Sequence, residues 1–179
     1  MEFDSVGYFE DVAKRLKLIG HSKTEKHFFR STSASYPREL ENSLSSARYP
    51  ALVVVTRKDG RLIDNSSDNY LDKKLYTFLI LHPAKDSAPA KIDECMALSI
   101  NIFRKITGKL KRDKKKDYSL AIQQQIFGLR GLDIASISYQ QIGPMLDNLY
   151  GLMVRFSIID SAHLQYDAED WLTTEDNGS

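Results

Sequence analysis

The spacing of apolar residues predicts an amphipathic helix at the start of the chain. Asp4 or Ser5 can cap it, and Gly20 stands where helices commonly end in the left-handed conformation. A second, shorter helix is predicted from Pro37, because the first helical turn tolerates proline. The apolar faces consist of Val6, Phe9, Val12, Ala13, Leu16 and Ile19 in the first helix and Tyr36, Leu40, Leu44 and Ala47 in the second.

Three short apolar runs have the composition of buried strands. Residues 27–30 are mainly aromatic, whereas residues 51–56 and 75–81 are rich in β-branched and aromatic side chains. After the second run, the pair Asp59-Gly60 tolerates positive φ and predicts a hairpin turn. Residues 61–63 would then form a brief returning arm.

The second half of the chain contains two segments that alternate in polarity. Residues 134–142 have a mostly polar outer face, and residues 150–159 place apolar side chains at every second position. The pair Gly143-Pro144 is expected to break the first strand. These segments predict an antiparallel pair and, with the helices, an α+β fold whose mostly antiparallel sheet has its helices largely on one face.

The longest predicted helix begins near Pro89, with Ser87 as a candidate cap. Its apolar face continues to Leu110, where the helix meets a dense cluster of basic residues. Residues 118–127 fit either structure, and their glutamines slightly favour a helix. The apolar positions of the long helix are Ile92, Cys95, Met96, Ile102, Phe103, Ile106 and Leu110.

Length and composition indicate one globular domain. The 179 residues include 42% hydrophobic and 27% charged side chains, which suffices for one substantial core. We assign residues 1–160 to this α+β domain and residues 161–179 to an acidic C-terminal arm. No apolar run is long enough to span a membrane, and the start of the chain is acidic, so we expect a cytoplasmic protein.

Charge is strongly segregated although the totals nearly cancel, with 25 Lys and Arg against 24 Asp and Glu. No Lys or Arg follows Arg155, and the final arm combines acids with aromatic residues. Such segregation indicates contact with a polyanion or with another copy of the chain. The basic block contains Arg104, Lys105, Lys109, Lys111, Arg112, Lys114, Lys115 and Lys116, and the candidate contacts of the acidic arm are Tyr166, Asp167, Glu169, Asp170 and Trp171.

Motifs for catalysis or cofactor binding are weak. The four histidines lack zinc-binding spacing, and no phosphate-binding glycine loop or nucleophile elbow occurs. An enzymatic site would have to be assembled from scattered residues such as His82, Asp86 and Cys95. We therefore expect no catalytic residue, cofactor, metal or small-molecule substrate.

The order of elements resembles that of small α/β proteins of phage tails, such as tail-terminator and tail-completion proteins. The resemblance covers residues 45–160 and rests on the Tyr49-Pro50-Ala51-Leu52-Val53-Val54 strand, the Ile142-Gly143-Pro144 segment and the entry Asp147-Asn148-Leu149-Tyr150-Gly151 into the final strand. It implies a structural role, with subunits joined into a ring through sheet edges and complementary charge. It transfers no functional residue to this chain.

The sequence thus predicts a non-enzymatic assembly protein, either a homo-oligomer or a subunit that binds an assembly partner, and incorporated in a tail-like particle if the resemblance holds. Two different surfaces of one subunit would meet and repeat around a ring. The alternative is a module that binds nucleic acid non-specifically through residues 104–116, since eight cations can neutralise several phosphates. No membrane partner is expected.

Overall fold

The fold is built on one five-stranded sheet. The computed structural model describes residues 2–33, 37–64, 66, 70–84, 88–146, 148–162 and 164. Strand β1 lies parallel to β2, and all other neighbours are antiparallel, which confirms the predicted α+β class with a mostly antiparallel sheet. The sheet order is β1-β2-β3-β5-β4, with β1 at Phe28–Ser31, β2 at Ala51–Asp64, β3 at Tyr70–Pro83, β4 at Leu132–Met145 and β5 at Leu149–Ala162.

Three α-helices accompany the sheet: α1 at Ser5–Arg15, α2 at Pro37–Leu44 and α3 at Pro89–Ser119. The carboxylate of Asp4 caps α1 by accepting a hydrogen bond from the Gly7 N–H at 3.0 Å. Helix α1 ends earlier than predicted, although Gly20 does adopt a positive φ of 70°. Ser87, the predicted cap of α3, lies outside the described residues.

The main core lies between the sheet and helices α1 and α3. Alternate residues from Leu152 to Ile158 of β5 face these helices, as the alternation predicts, and so do Tyr76, Phe78 and Ile80 of β3. Aromatic rings fill the centre of this core. The ring centre of Phe9 in α1 lies 4.7 Å from that of Phe78, and the rings of Tyr76 and Phe156 stack with their centres 5.4 Å apart. Helices α1 and α3 are therefore held side by side on one face of the sheet.

A smaller core covers part of the opposite face. Leu40 and Leu44 of α2 are buried in one cluster with Val53 of β2 and Leu79 of β3. The uniformly apolar run in β2 is thereby explained, because its side chains enter the two cores alternately. Two of the three helices share the main face, as the sequence predicted.

The predicted turn at Asp59-Gly60 is wrong. Strand β2 continues through this pair to Asp64, and its register with β3 shifts between Val55 and Asp59. Tyr70 of β3 pairs with Asp64, so β2 and β3 stay paired well beyond Asp59-Gly60. Cross-strand pairing with the extended β3 outweighs the local turn preference of Asp-Gly.

The weak preference for a helix at residues 118–127 is also largely wrong. Helix α3 ends at Ser119, and a single 3₁₀ turn at Ile122–Gln124 follows. In contrast, the predicted antiparallel pair is confirmed: residues 138–142 of β4 pair with residues 151–155 of β5, and the register shifts between Asp133 and Ser138. Between Ile142 and Met145 the register of β4 shifts, so Gly143-Pro144 interrupts the pairing without ending the strand.

Glycine substitutions test the spacing of the sheet. A Cβ atom at Gly151 of β5 would collide with the carbonyl oxygen of Ile80 in β3, so G151A should lower the free energy of unfolding by about 1–3 kcal/mol. Gly108 in α3 has no neighbouring atom within 4 Å of its Cβ position. G108A should therefore stabilise the helix by up to about 1 kcal/mol.

Urea unfolding followed by circular dichroism measures both effects. The opposite signs make each variant the control for the other. Equal stability of G151A and the wild type would contradict the close approach of β3 and β5.

Candidate functional site

One side of helix α3 is completely buried along most of its length. The buried positions recur every three or four residues, so they form a single stripe against α1 and the sheet. The stripe begins at Ser99, continues with three apolar side chains and ends with two carboxylates. Its members are Ser99, Ile102, Ile106, Leu110, Asp113 and Asp117.

The opposite side of α3 presents most of the predicted basic block to solvent. Arg104, Lys111 and Lys115 form one row along the helix, and Lys105, Arg112 and Lys116 form the adjacent row. We call these six exposed residues the basic face. At a rise of about 1.5 Å per residue, the face is about 18 Å long. Among the described residues, Arg112 alone of these six has an ion-pair partner.

The other two cations of the block point inward. Lys109 binds the buried carboxylate of Asp113, and its ammonium lies 4.9 Å from the centre of the Tyr8 ring. Lys114 donates a hydrogen bond to the backbone carbonyl of Leu132 at 2.6 Å. These two lysines therefore hold α3 to the domain and do not belong to the basic face.

Asp113 ties helix α3 to helix α1. Its carboxylate accepts hydrogen bonds from the Tyr8 hydroxyl at 2.9 Å, from the Lys109 ammonium and from the Arg112 Nε at 3.3 Å. Burial alone raises the pKa of Asp113, but the hydrogen bonds from Lys109 and Tyr8 outweigh it and lower the pKa below its ordinary value. The ionised carboxylate is thus the form that this cluster stabilises.

Asp117 organises the segment that follows α3. Its two carboxylate oxygens accept hydrogen bonds from the backbone N–H groups of Ile126 at 3.0 Å, Phe127 at 3.1 Å and Leu129 at 2.7 Å. Sequence reasoning missed both Asp113 and Asp117. The available signal was their position, since both continue the helical spacing of the apolar stripe.

Strand β4 forms a long open edge of the sheet. Residues 134–145 contain no charged side chain, and residues 138–141 are all exposed. Tyr139 keeps 49% of its surface exposed although its ring contacts Phe103 of α3. The opposite edge, β1, is only four residues long. We refer to residues 134–145 as the β4 edge.

The predicted contacts of the acidic arm lie outside the described residues. These contacts are Tyr166, Asp167, Glu169, Asp170 and Trp171. Strand β5 includes the first two residues assigned to the arm, Ser161 and Ala162, which pair with Leu71 and Tyr70 of β3. Because β5 also pairs with β4, the arm leaves the sheet from the strand next to the β4 edge.

The residues weighed for an enzymatic site are not joined by a hydrogen bond within the described structure. Burial lowers the pKa of His82 to about 4, and its Nε2 atom has no partner among the described groups. Cys95 lies 3.5 Å from the Pro83 carbonyl oxygen, and burial raises the pKa of its thiol. Asp86 lies outside the described residues. The described part of the chain also contains no group of three His, Cys, Asp or Glu side chains that could hold a metal ion.

Comparison with known proteins yields no match from which a function could be inferred. No protein-family model matches the chain, and neither a curated protein nor a solved structure matches it. None of the helices described here is long and apolar enough to cross a membrane. The features that remain for function are the basic face and the β4 edge.

Removal of the Asp113 charge should destabilise the protein at neutral pH. In D113N, Lys109 loses its buried counterion, so we expect a loss on the order of 2–3 kcal/mol in the free energy of unfolding at pH 7. Because the pKa of Asp113 is lowered in the folded state, its stabilisation is present above pH of about 4 and disappears as the pH falls further. The difference between variant and wild type should therefore shrink in acid.

Urea unfolding at pH 7 and at pH 3 measures this difference. D93N is the matched control, because Asp93 is exposed on the same helix and its loss should change stability by less than about 0.5 kcal/mol. Equal effects of D113N and D93N would show that Asp113 does not anchor α3.

Proposed function

We propose that the protein is a non-enzymatic structural subunit that assembles with further copies of itself. The observation that carries this proposal is the stretch of the β4 edge from Ser138 to Ile142, which is exposed at four of its five residues, free of charged side chains and bounded on each side by a register shift. Proteins usually protect such an edge with charges, bulges or a covering element, because its N–H and C=O groups can pair with another chain. The resemblance to phage tail proteins agrees with this role.

Regular pairing on the inner side of β4 supports the use of its outer side. Residues from Ser138 to Ile142 form an uninterrupted ladder with β5. In an antiparallel ladder, alternate residues direct their backbone groups away from the inner neighbour. A second subunit could therefore add a strand along these five residues, and the exposed Tyr139 would supply apolar contact area.

Charge would fix the orientation of the subunits. In the proposed contact, the basic face of one subunit meets the acidic arm of its neighbour. These are two different surfaces, so the contact is heterologous and repeats until a ring closes. Complementary charge mainly sets register and rate of approach, whereas the edge and the aromatic residues of the arm give most of the affinity.

Positive charge placed on the β4 edge should block assembly. We expect the variant S138K/Q140K to be monomeric under conditions in which the wild type forms oligomers, because lysines at an edge disfavour strand addition. Size-exclusion chromatography with light scattering, at low and high salt, gives the mass of each species.

The matched control is Q123K/Q124K, which adds the same two charges at exposed positions outside the sheet. This control should assemble like the wild type. A wild type that stays monomeric at every concentration and salt level would contradict the proposed function.

A charge exchange between two variants tests the contact between the basic face and the arm. One variant is K105E/K111E/K115E/K116E, which leaves two arginines against four glutamates on the basic face. The other is D167K/E169K/D170K, which leaves three lysines against Glu175 and Asp176 in the arm. Each should assemble poorly alone, since its two contact surfaces have the same sign. An equimolar mixture should recover the oligomer, because every basic surface can then meet an acidic one on another subunit.

The mixture separates contacts between subunits from contacts within one subunit. If each arm folded onto the α3 of its own chain, both variants would remain impaired after mixing. That result would overturn the proposed role of charge and leave the β4 edge as the tested contact.

A second function, non-specific binding of nucleic acid, is favoured by the two rows of cations on the basic face. Their length of about 18 Å would span several phosphates of a single strand or duplex. Retention of a labelled oligonucleotide that falls steeply with salt, and weakens in K111Q/K115Q, would support it. Absence of retention at low salt would remove it.

A further inference from the structure

A small groove lies between helices α1 and α3, at one side of the basic face. Its cavity volume is about 280 Å³, and four cationic side chains line it: Arg15 from α1 and Lys105, Lys109 and Arg112 from α3. Sequence reasoning did not include Arg15, because it lies 89 positions before the basic block begins at Arg104. The fold thus adds a cation from another helix to one end of the block.

Each of the two arginines in the groove is bound by a different carboxylate, and in both cases the Nε atom of the arginine is the donor. The Nε of Arg15 donates to Asp11 Oδ1 at 2.6 Å, and the Nε of Arg112 donates to Asp113 Oδ1 at 3.3 Å. No other ion pair involves either arginine in the described part of the structure. The two terminal nitrogens of each guanidinium therefore remain for a ligand, and this fork suits an oxyanion.

The groove has an excess of positive charge. Its four cations face two carboxylates, those of Asp11 and Asp113, which leaves about two positive charges uncompensated. Asp113 carries one negative charge and is shared by Lys109 and Arg112, so it cannot neutralise both cations. A ligand with two negative charges would balance the groove, and a phosphate monoester carries about −1.5 to −2 at pH 7.

The size of the groove restricts the ligand. Its volume lies just below the range of about 300–1,000 Å³ that is typical of drug-sized ligands, so a phosphate or diphosphate group fits better than a large molecule. Val12 and Ile106 form apolar walls, and Gly108 contributes no side chain that would fill the opening.

We propose that this groove binds a phosphate group, either free or at the end of a nucleic-acid strand. Arg15 and Arg112 grip it from two helices with their terminal nitrogens, and Lys105 supplies a third positive charge. Lys109 is fixed by Asp113 and the Tyr8 ring, so it contributes its charge to the field of the groove. The proposal does not depend on assembly through the β4 edge.

Isothermal titration calorimetry with inorganic pyrophosphate tests the site. The variant R15Q/R112Q should bind at least about tenfold more weakly than the wild type, because it loses the charge-assisted hydrogen bonds of both forks. The matched control K111Q/K115Q removes the same charge from the basic face outside the groove. Its affinity should stay within about twofold of the wild type.

A second titration distinguishes the two sources of phosphate. A short oligonucleotide is compared with and without a 5′-phosphate. If the site takes a strand terminus, the 5′-phosphate should increase the affinity of the wild type and not that of R15Q/R112Q. If the site takes free phosphate only, pyrophosphate binds and the 5′-phosphate has no effect.

Two outcomes would overturn the proposal. One is an equal loss of affinity in R15Q/R112Q and K111Q/K115Q, which would reduce the groove to general surface charge. The other is failure of the wild type to bind both pyrophosphate and the 5′-phosphorylated strand. Because Arg112 also contacts Asp113, the single variant K105Q provides a test that leaves the anchor of α3 intact, and it should lose binding several-fold.

Discussion

Burial of two carboxylates on the inner side of α3 is the interaction on which the rest of the molecule depends. Asp113 and Asp117 lie one helical turn apart and are both fully buried. A buried carboxylate is costly unless hydrogen bonds satisfy it, and here both are satisfied. Asp113 accepts hydrogen bonds from side chains of α1 and α3. Asp117 accepts hydrogen bonds from three backbone N–H groups of the segment after α3. The last two turns of the helix are therefore fixed in rotation about the helix axis.

That rotation decides which cations reach solvent. With Leu110 and Asp113 against the domain, the positions on the far side of the helix are the two rows that start at Arg104 and Lys105. A helix so rich in lysine has little apolar area to hold it in place in its final turns. The carboxylates replace that missing apolar area, and the exposed basic face is the consequence.

The elements that sequence predicted well are those whose local pattern and tertiary environment agree. The apolar spacing of α1 and the alternation in β5 both match the observed core, since each side chain faces the layer that its pattern requires. The failures have tertiary causes. Asp59-Gly60 has a strong local turn preference, but pairing with β3 keeps it extended.

The segment after α3 shows the same effect. A helix there would use the N–H groups of Ile126 and Phe127 within its own backbone, whereas Asp117 accepts both of them. Gly128 adopts a φ of 69° and would bring a Cβ to 2.9 Å from the Phe3 backbone nitrogen. This contact joins the N-terminal residues to the segment after α3, and no local pattern can reveal it.

Part of the candidate site was visible in the sequence, and part was not. The basic block is evident from composition, and six of its eight cations do lie on the exposed face. The charge pattern of the sequence could not distinguish Lys109 and Lys114 from the six exposed cations of the block. Their inward positions depend on Asp113 and on the Leu132 carbonyl. The charge pattern also could not place Arg15 beside Arg112, since that neighbourhood is set by the packing of two helices.

Neither of the proposed contact surfaces would suffice alone. In the proposed contact, backbone groups on the β4 edge would exchange hydrogen bonds with water for hydrogen bonds with a second chain, so each would contribute only about 1 kcal/mol. Exposed ion pairs contribute about as little, and salt screens them. An edge without charged residues does not select a particular partner or strand register. A basic face without an apolar contact binds a partner too weakly to form a stable complex. The two surfaces therefore have to act together: strand addition at the β4 edge would hold the subunits, and the contact between basic face and acidic arm, which are different surfaces and hence heterologous, would fix their orientation.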